Sequence, residues 1–214
     1  MARTESRDNV DYFNVMADGK FHQEVAEGTE GAVFREGDTK DGKHYAKWEK
    51  LFQDVSGMIT KVEFYEGNYG KNLNLTIEDE GYEPTIVSFK TGDQFGEDML
   101  KKLLNIDLSK PVILAPYAFK TDAGKNKNGV TVTQNGVKIQ SYFHDYDEAT
   151  KTTTVKNGYP KAPVAKKGKT ISADEWKLFF GQARLFMINH IEDKLGLDNT
   201  ADAEAEAQRK FDGE

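Results

Sequence analysis

Between residues 55 and 90, hydrophobic and polar positions alternate by twos. In the stretch ITKVEFYEGNYGKNLNLTIE (59–78), Thr60, Val62 and Phe64 share one face of a predicted strand, and Lys61, Glu63 and Tyr65 share the other. Beyond the turn, Leu73, Leu75 and Ile77 point one way while Asn72, Asn74 and Thr76 point the other. Gly81 ends that strand, and a third run follows at 84–90. Such alternation, with one polar face throughout, predicts a sheet buried on one side only. The connection Glu66-Gly67-Asn68-Tyr69-Gly70-Lys71 is richer than the Asn-Gly that suffices for a plain hairpin.

The period then lengthens. Phe95, Met99, Leu100, Leu103, Leu104 and Ile106 follow helical spacing. Ser109-Lys110-Pro111 returns the chain to an extended form, and VILAPYAF predicts a fourth strand. A polar, basic loop spans 120–128, and GVTVTQNGVKIQSYF reads as a hairpin turned at Asn135-Gly136. A further turn near 148–151 extends the meander into 152–155. Three strands, a helix and two more strands predict a mainly β protein. The order is that of an OB-fold, a five-stranded Greek-key barrel with a helix between strands 3 and 4. In that fold the loops joining strands one and two, and strands four and five, flank the binding face. Here those two loops are the elaborated ones.

Around this barrel, predicted at 51–155, the chain carries appendages. Residues 1–50 form an N-terminal β-hairpin or extension, with short strand-like pieces at 20–22, 32–35 and 44–48. A basic linker spans 156–171; from 151 to 170 there are six lysines, no acid, two prolines and two glycines. Ser172 and Glu175 form a capping box, which predicts a helix through Leu195 closed by Gly196. Trp176, Phe180, Ala183, Met187 and Ile191 make its apolar stripe, widened by Leu178, Leu185, Ile188 and Leu195. So greasy a helix (172–197) is expected to pack on the barrel, or else on a second subunit. Residues 198–214, with six acids and two bases, read as an acidic disordered tail.

Charge changes the picture more than composition does. The chain has 214 residues and a net charge of −7, which argues at face value against a nucleic-acid partner. Yet residues 101–170 hold thirteen lysines and five acids, so that +8 there leaves −15 elsewhere. A cationic region in an acidic molecule points to a polyanion. Cysteine is absent, which excludes disulfides and thiolate metal sites and fits a reducing, cytoplasmic setting. No apolar run is long enough for a signal peptide or a membrane span.

Candidate chemistry is correspondingly one-sided. The histidines at 22, 44, 144 and 190 are scattered, and His144-Asp145-Tyr146-Asp147 reads as a polar turn, since alternate strand residues diverge from any one ion. No nucleophile elbow, phosphate loop or dinucleotide fingerprint occurs, so no enzyme, cofactor or metal is expected. A single-stranded nucleic acid needs cations for phosphates and flat side chains for bases, and the predicted barrel offers both. Tyr65 and Tyr69 mark one lip with Lys61 and Lys71; Asn72 and Asn74 face outward from strand two. Phe89 and Lys90 lie on strand three, and Tyr117, Phe119, Lys120, Lys125 and Lys127 surround the other lip. Phe89 and Phe119 read equally well as core residues.

Through VEFYEGNYGKNLNLTIEDE, the helix FGEDMLKKLLNIDLSKP and the tail DAEAEAQRKFDGE, the chain resembles the OB-fold single-stranded DNA-binding proteins of tailed bacteriophages. The likeness covers roughly residues 55–143 and 198–214. It implies a non-sequence-specific coat on single-stranded DNA during phage replication or recombination, in the cytoplasm of an infected bacterium. It also implies that Phe211, among Asp212 and Glu214, recruits replication or recombination partners. The alternative reading is a protein-interaction module on the same barrel, or an acidic DNA mimic that inhibits a host enzyme.

Overall fold

The computed structural model describes residues 10–38, 42–67, 70–165 and 169–197. It is mainly β, and it divides into two compact units. The first comprises residues up to Met99 together with Asp107–Ile139; the second comprises Leu100–Ile106 and the chain from Gln140 onward. The predicted tail residues Phe211, Asp212 and Glu214 lie outside the described residues. No helix among the described residues is long and apolar enough to cross a membrane.

The first unit is built on one large sheet. Its strands are β1 (Asp11–Val15), β2 (Phe21–Val25), β3 (Val33–Asp38), β4 (His44–Phe52), β5 (Val55–Gly67), β6 (Gly70–Glu78) and β7 (Thr85–Lys90). After helix α1 (Gln94–Lys102) come β8 (Val112–Lys120), β9 (Asn126–Gln134) and the short β10 (Val137–Lys138). They hydrogen-bond in the order β10-β9-β8-β5-β6-β7-β1-β2-β4-β3, an open series of ten strands rather than the closed five-stranded barrel expected. The physical reason lies at the N-terminus. The described residues of the expected N-terminal extension (1–50) are part of the sheet, because β1 pairs in parallel with β7, and β2, β4 and β3 add beyond it.

The core follows the alternation. Leu73, Leu75, Ile77, Val87, Phe89, Val112, Leu114, Val130 and Val132 are buried, and Phe13 and Phe21 from the N-terminal strands join them. Phe21 packs edge-on against Phe89 with ring centroids 6.3 Å apart, and Phe13 against Phe21 at 6.4 Å. One expected inward residue is displaced. The pairing of β5 with β6 shifts between Ile59 and Lys61, so Thr60 is the extra residue of a bulge. Ile59 and Val62 are therefore buried while Thr60 is exposed and donates to Glu78 Oε1 at 2.9 Å.

Two features bind the sheet to its surroundings. The β1–β2 turn approaches β8 so closely that a Cβ on Gly19, which has φ of +73°, would lie 2.3 Å from the Ala118 nitrogen. Only glycine fits there. On β9, Val130 stands opposite Pro116, and its N–H donates to Asp98 Oδ2 of α1 at 2.7 Å. The predicted turn is present between β9 and β10, with positive φ at both Asn135 and Gly136.

The second unit holds the 3₁₀ turn Leu103–Asn105, the hairpin β11 (His144–Asp147) and β12 (Thr152–Val155), and helix α2 (Ala173–Leu195). The β11–β12 hairpin thus groups with α2 and not with the large sheet, against the expected boundary at residue 155. Ser172 and Glu175 form the full capping box, and Gly196 closes the helix in the left-handed region. Phe143 is fully buried among Tyr159, Phe186 and His190. The apolar stripe of α2 is covered only from Ala183 onward; Leu178, Phe180 and Leu185 are exposed.

Candidate nucleic-acid interface

The polar face of the large sheet is assembled by register. Tyr65 of β5 stands opposite Asn72 of β6, which stands opposite Lys90 of β7. One step along, Glu63, Asn74 and Ser88 form a second row; a further step gives Lys61, Thr76 and Ile86. Directly opposed residues share a face, so these side chains project together from one surface. Tyr65 is 61% exposed, which leaves its ring available for stacking. Lys90 is exposed and makes no ion pair among the described residues. Its position is fixed by the tight passage into α1, where the Asp93 carboxylate accepts from the Gly96 N–H at 2.9 Å.

Asn74 has a feature that the core does not explain. Its Oδ1 is buried and has no hydrogen-bond partner among the described residues. A buried acceptor left unmade is costly to the fold. Lys61 is held by Glu63, with Nζ 2.7 Å from Oε1, so its charge is partly neutralised. Lys71 lies over the Phe64 ring at 5.2 Å, and its carbonyl accepts from both the N–H and the hydroxyl of Thr91.

A second group gathers on β8 and β9. Tyr117 and Phe119 have ring centroids 5.8 Å apart, and Lys127, opposite Phe119, places Nζ 6.0 Å from that ring. Phe119 is 51% exposed and so is not a core residue. Tyr117 is half-buried; burial, and to a smaller degree the Asp98 charge, pushes its hydroxyl up from the ordinary tyrosine value. The basic loop expected at 120–128 is a shorter turn. β8 runs through Lys120 and β9 resumes at Asn126, leaving a compact turn in which Thr121 and Lys125 bond each other. Lys120 and Lys125 are exposed at that turn.

Three expectations need revision. Phe89 is 1% exposed and belongs to the core, since it alternates with Lys90 and faces inward opposite Leu73. The connection between β5 and β6 is not a long lip, because Glu66, Gly67, Gly70 and Lys71 are paired strand residues. Tyr69 lies outside the described residues.

One cluster is not among the expected site residues. Glu49 of β4 is 1% exposed, yet Lys47 Nζ lies 2.6 Å from it, His22 Nδ1 2.8 Å and Arg35 Nη1 3.5 Å. Burial pushes the Glu49 carboxyl up, but hydrogen bonds from Lys47 and His22 more than offset this and hold it below the usual carboxylate range. The signal was present as alternation in FHQEV and KWEKLF, but only the pairing of β2 with β4 brings it together.

No protein-family model, curated protein or solved structure matches this chain.

Proposed function

We propose that the protein binds single-stranded DNA without sequence preference, acts in phage DNA replication or recombination, and performs no chemistry itself. The observation that carries this reading is the row Tyr65–Asn72–Lys90 on an exposed sheet face. It sets an aromatic platform, an amide and a cation side by side, the combination a single strand requires. The strand order supports it. β7, β6, β5, β8 and β9 succeed one another as strands 3-2-1-4-5, the order of an OB-fold opened at its last seam, with β1 lying on β7 where closure would occur. In OB-folds the face of strands two and three binds oligonucleotides, and here that face is β6–β7. Tyr117, Phe119 and Lys127 then serve the strand as it passes β8 and β9. The tail beyond residue 197 competes with DNA for the cations or recruits partners.

A titration of labelled oligothymidylate with the full chain at several salt concentrations tests the reading. Log affinity is expected to fall linearly with log salt, with a slope of roughly −0.7 per phosphate neutralised. An affinity that stays flat from low to high salt would remove the lysines from the account.

A further inference from the structure

Resting on the reading above, we infer that the N-terminal strands lengthen the DNA track, and that the cavity between β7 and β1, β2 and β4 receives further nucleotides of the same strand. The rows of the polar face do not stop at β7. Ser88 stands beside Asn14 of β1, and Asn14 beside His22 of β2; Ile86 stands beside Tyr12. Where these strands meet lies a cavity of about 570 Å³, lined by Tyr12, Asn14, His22, Lys47, Ser88 and Lys90 among others. Lys90 therefore belongs both to the row that starts at Tyr65 and to the wall of this cavity.

The chemistry suits a nucleotide better than a lone anion or an apolar ligand. Tyr12 is 59% exposed and offers a second ring for stacking. Asn14 and Ser88, in the row between those of Tyr65 and Tyr12, offer donors and acceptors to a base or sugar, and Lys90, in the Tyr65 row, meets a phosphate. Three acids also line the cavity: Glu49 is held by Lys47, His22 and Arg35, Glu24 lies 3.7 Å from the same Lys47 ammonium, and the exposed Asp11 stands at the start of β1, which leaves Lys90 as the cation for a phosphate. His22 is braced on its other side by Asp18, with Nε2 3.1 Å from either carboxylate oxygen. The floor is thus a fixed, hydrogen-bonded cluster. With strands about 4.8 Å apart, a path from β5 to β7 covers about 10 Å, and continuing to β4 makes it about 24 Å.

The test compares wild type, Tyr12→Ala and Tyr65→Ala, each as the full chain, against oligothymidylates of increasing length. Wild-type affinity is expected to rise with length up to the oligomer that fills the track. Tyr12→Ala should reach its plateau at a shorter oligomer and fall about 5- to 150-fold below wild type on long ones, while matching it on the shortest that bind. Tyr65→Ala should lose affinity at every length. Asn14→Leu, at a second exposed position of the cavity, should shorten the plateau in the same way. If wild type binds and both cavity variants follow its curve at all lengths, this inference is overturned and the shorter track stands. If wild type binds no oligomer, the reading on which the inference rests fails with it.

Discussion

Phe89→Ala is expected to destabilise the protein by about 3–5 kcal/mol, the range for removing a large aromatic from a packed interior. Phe89 is fully enclosed, stands opposite Leu73 and meets Phe21 edge-on at 6.3 Å. Truncation leaves a cavity in the layer where β7 contacts the N-terminal strands, so the loss is felt on both sides of the parallel seam. Urea unfolding measures it as a lower midpoint at unchanged slope. At low denaturant, the folded fraction of the variant should retain oligonucleotide affinity. A variant with an unchanged midpoint and lost binding would return Phe89 to the binding surface.

Tyr65→Ala is expected to weaken binding of a single strand by roughly 1–3 kcal/mol, or about 5- to 150-fold, with little change in stability. The ring is mostly exposed, so its removal opens no cavity. Its partners across the sheet, Asn72 and then Lys90, remain in register because the β5–β6 ladder is backbone-made. Tyr65→Phe preserves the flat surface and should bind nearly as wild type. Fluorescence anisotropy with a labelled oligonucleotide at fixed salt distinguishes the two. Equal losses in both variants would mean that the hydroxyl, and not the ring, makes the contact.

Much of the architecture was legible from alternation because one face of the sheet is greasy and the other wet. Leu73, Leu75 and Ile77 against Asn72, Asn74 and Thr76 leave a single register that buries the apolar set. Ser172 and Glu175 specified the start of α2 locally, and Gly196 its end, with no help from the rest of the chain. Non-local facts were harder to read. β1 is five residues long, contributes only Phe13 to the buried core, and acquires its identity from β7, more than seventy positions away. The bulge at Thr60 depends on how β6 pairs, which alternation within β5 does not encode. In one case the sequence already held the answer. Phe89 and Lys90 are adjacent on a strand, so they point to opposite faces and cannot both reach one ligand. The Glu49 cluster needs residues 18, 22, 35, 47 and 49 at once, and so was visible only after β2, β3 and β4 had been aligned.

The account turns on where an unpaired strand lies, and photochemical crosslinking addresses that most directly. A short oligonucleotide bearing photoreactive bases would be mixed with the full chain, irradiated, digested, and its attachment sites mapped. Attachment is predicted on β5–β7, with Tyr65 foremost, and to be suppressed by high salt. Attachment confined to Trp176 and Phe180 on α2, or none anywhere, would contradict it.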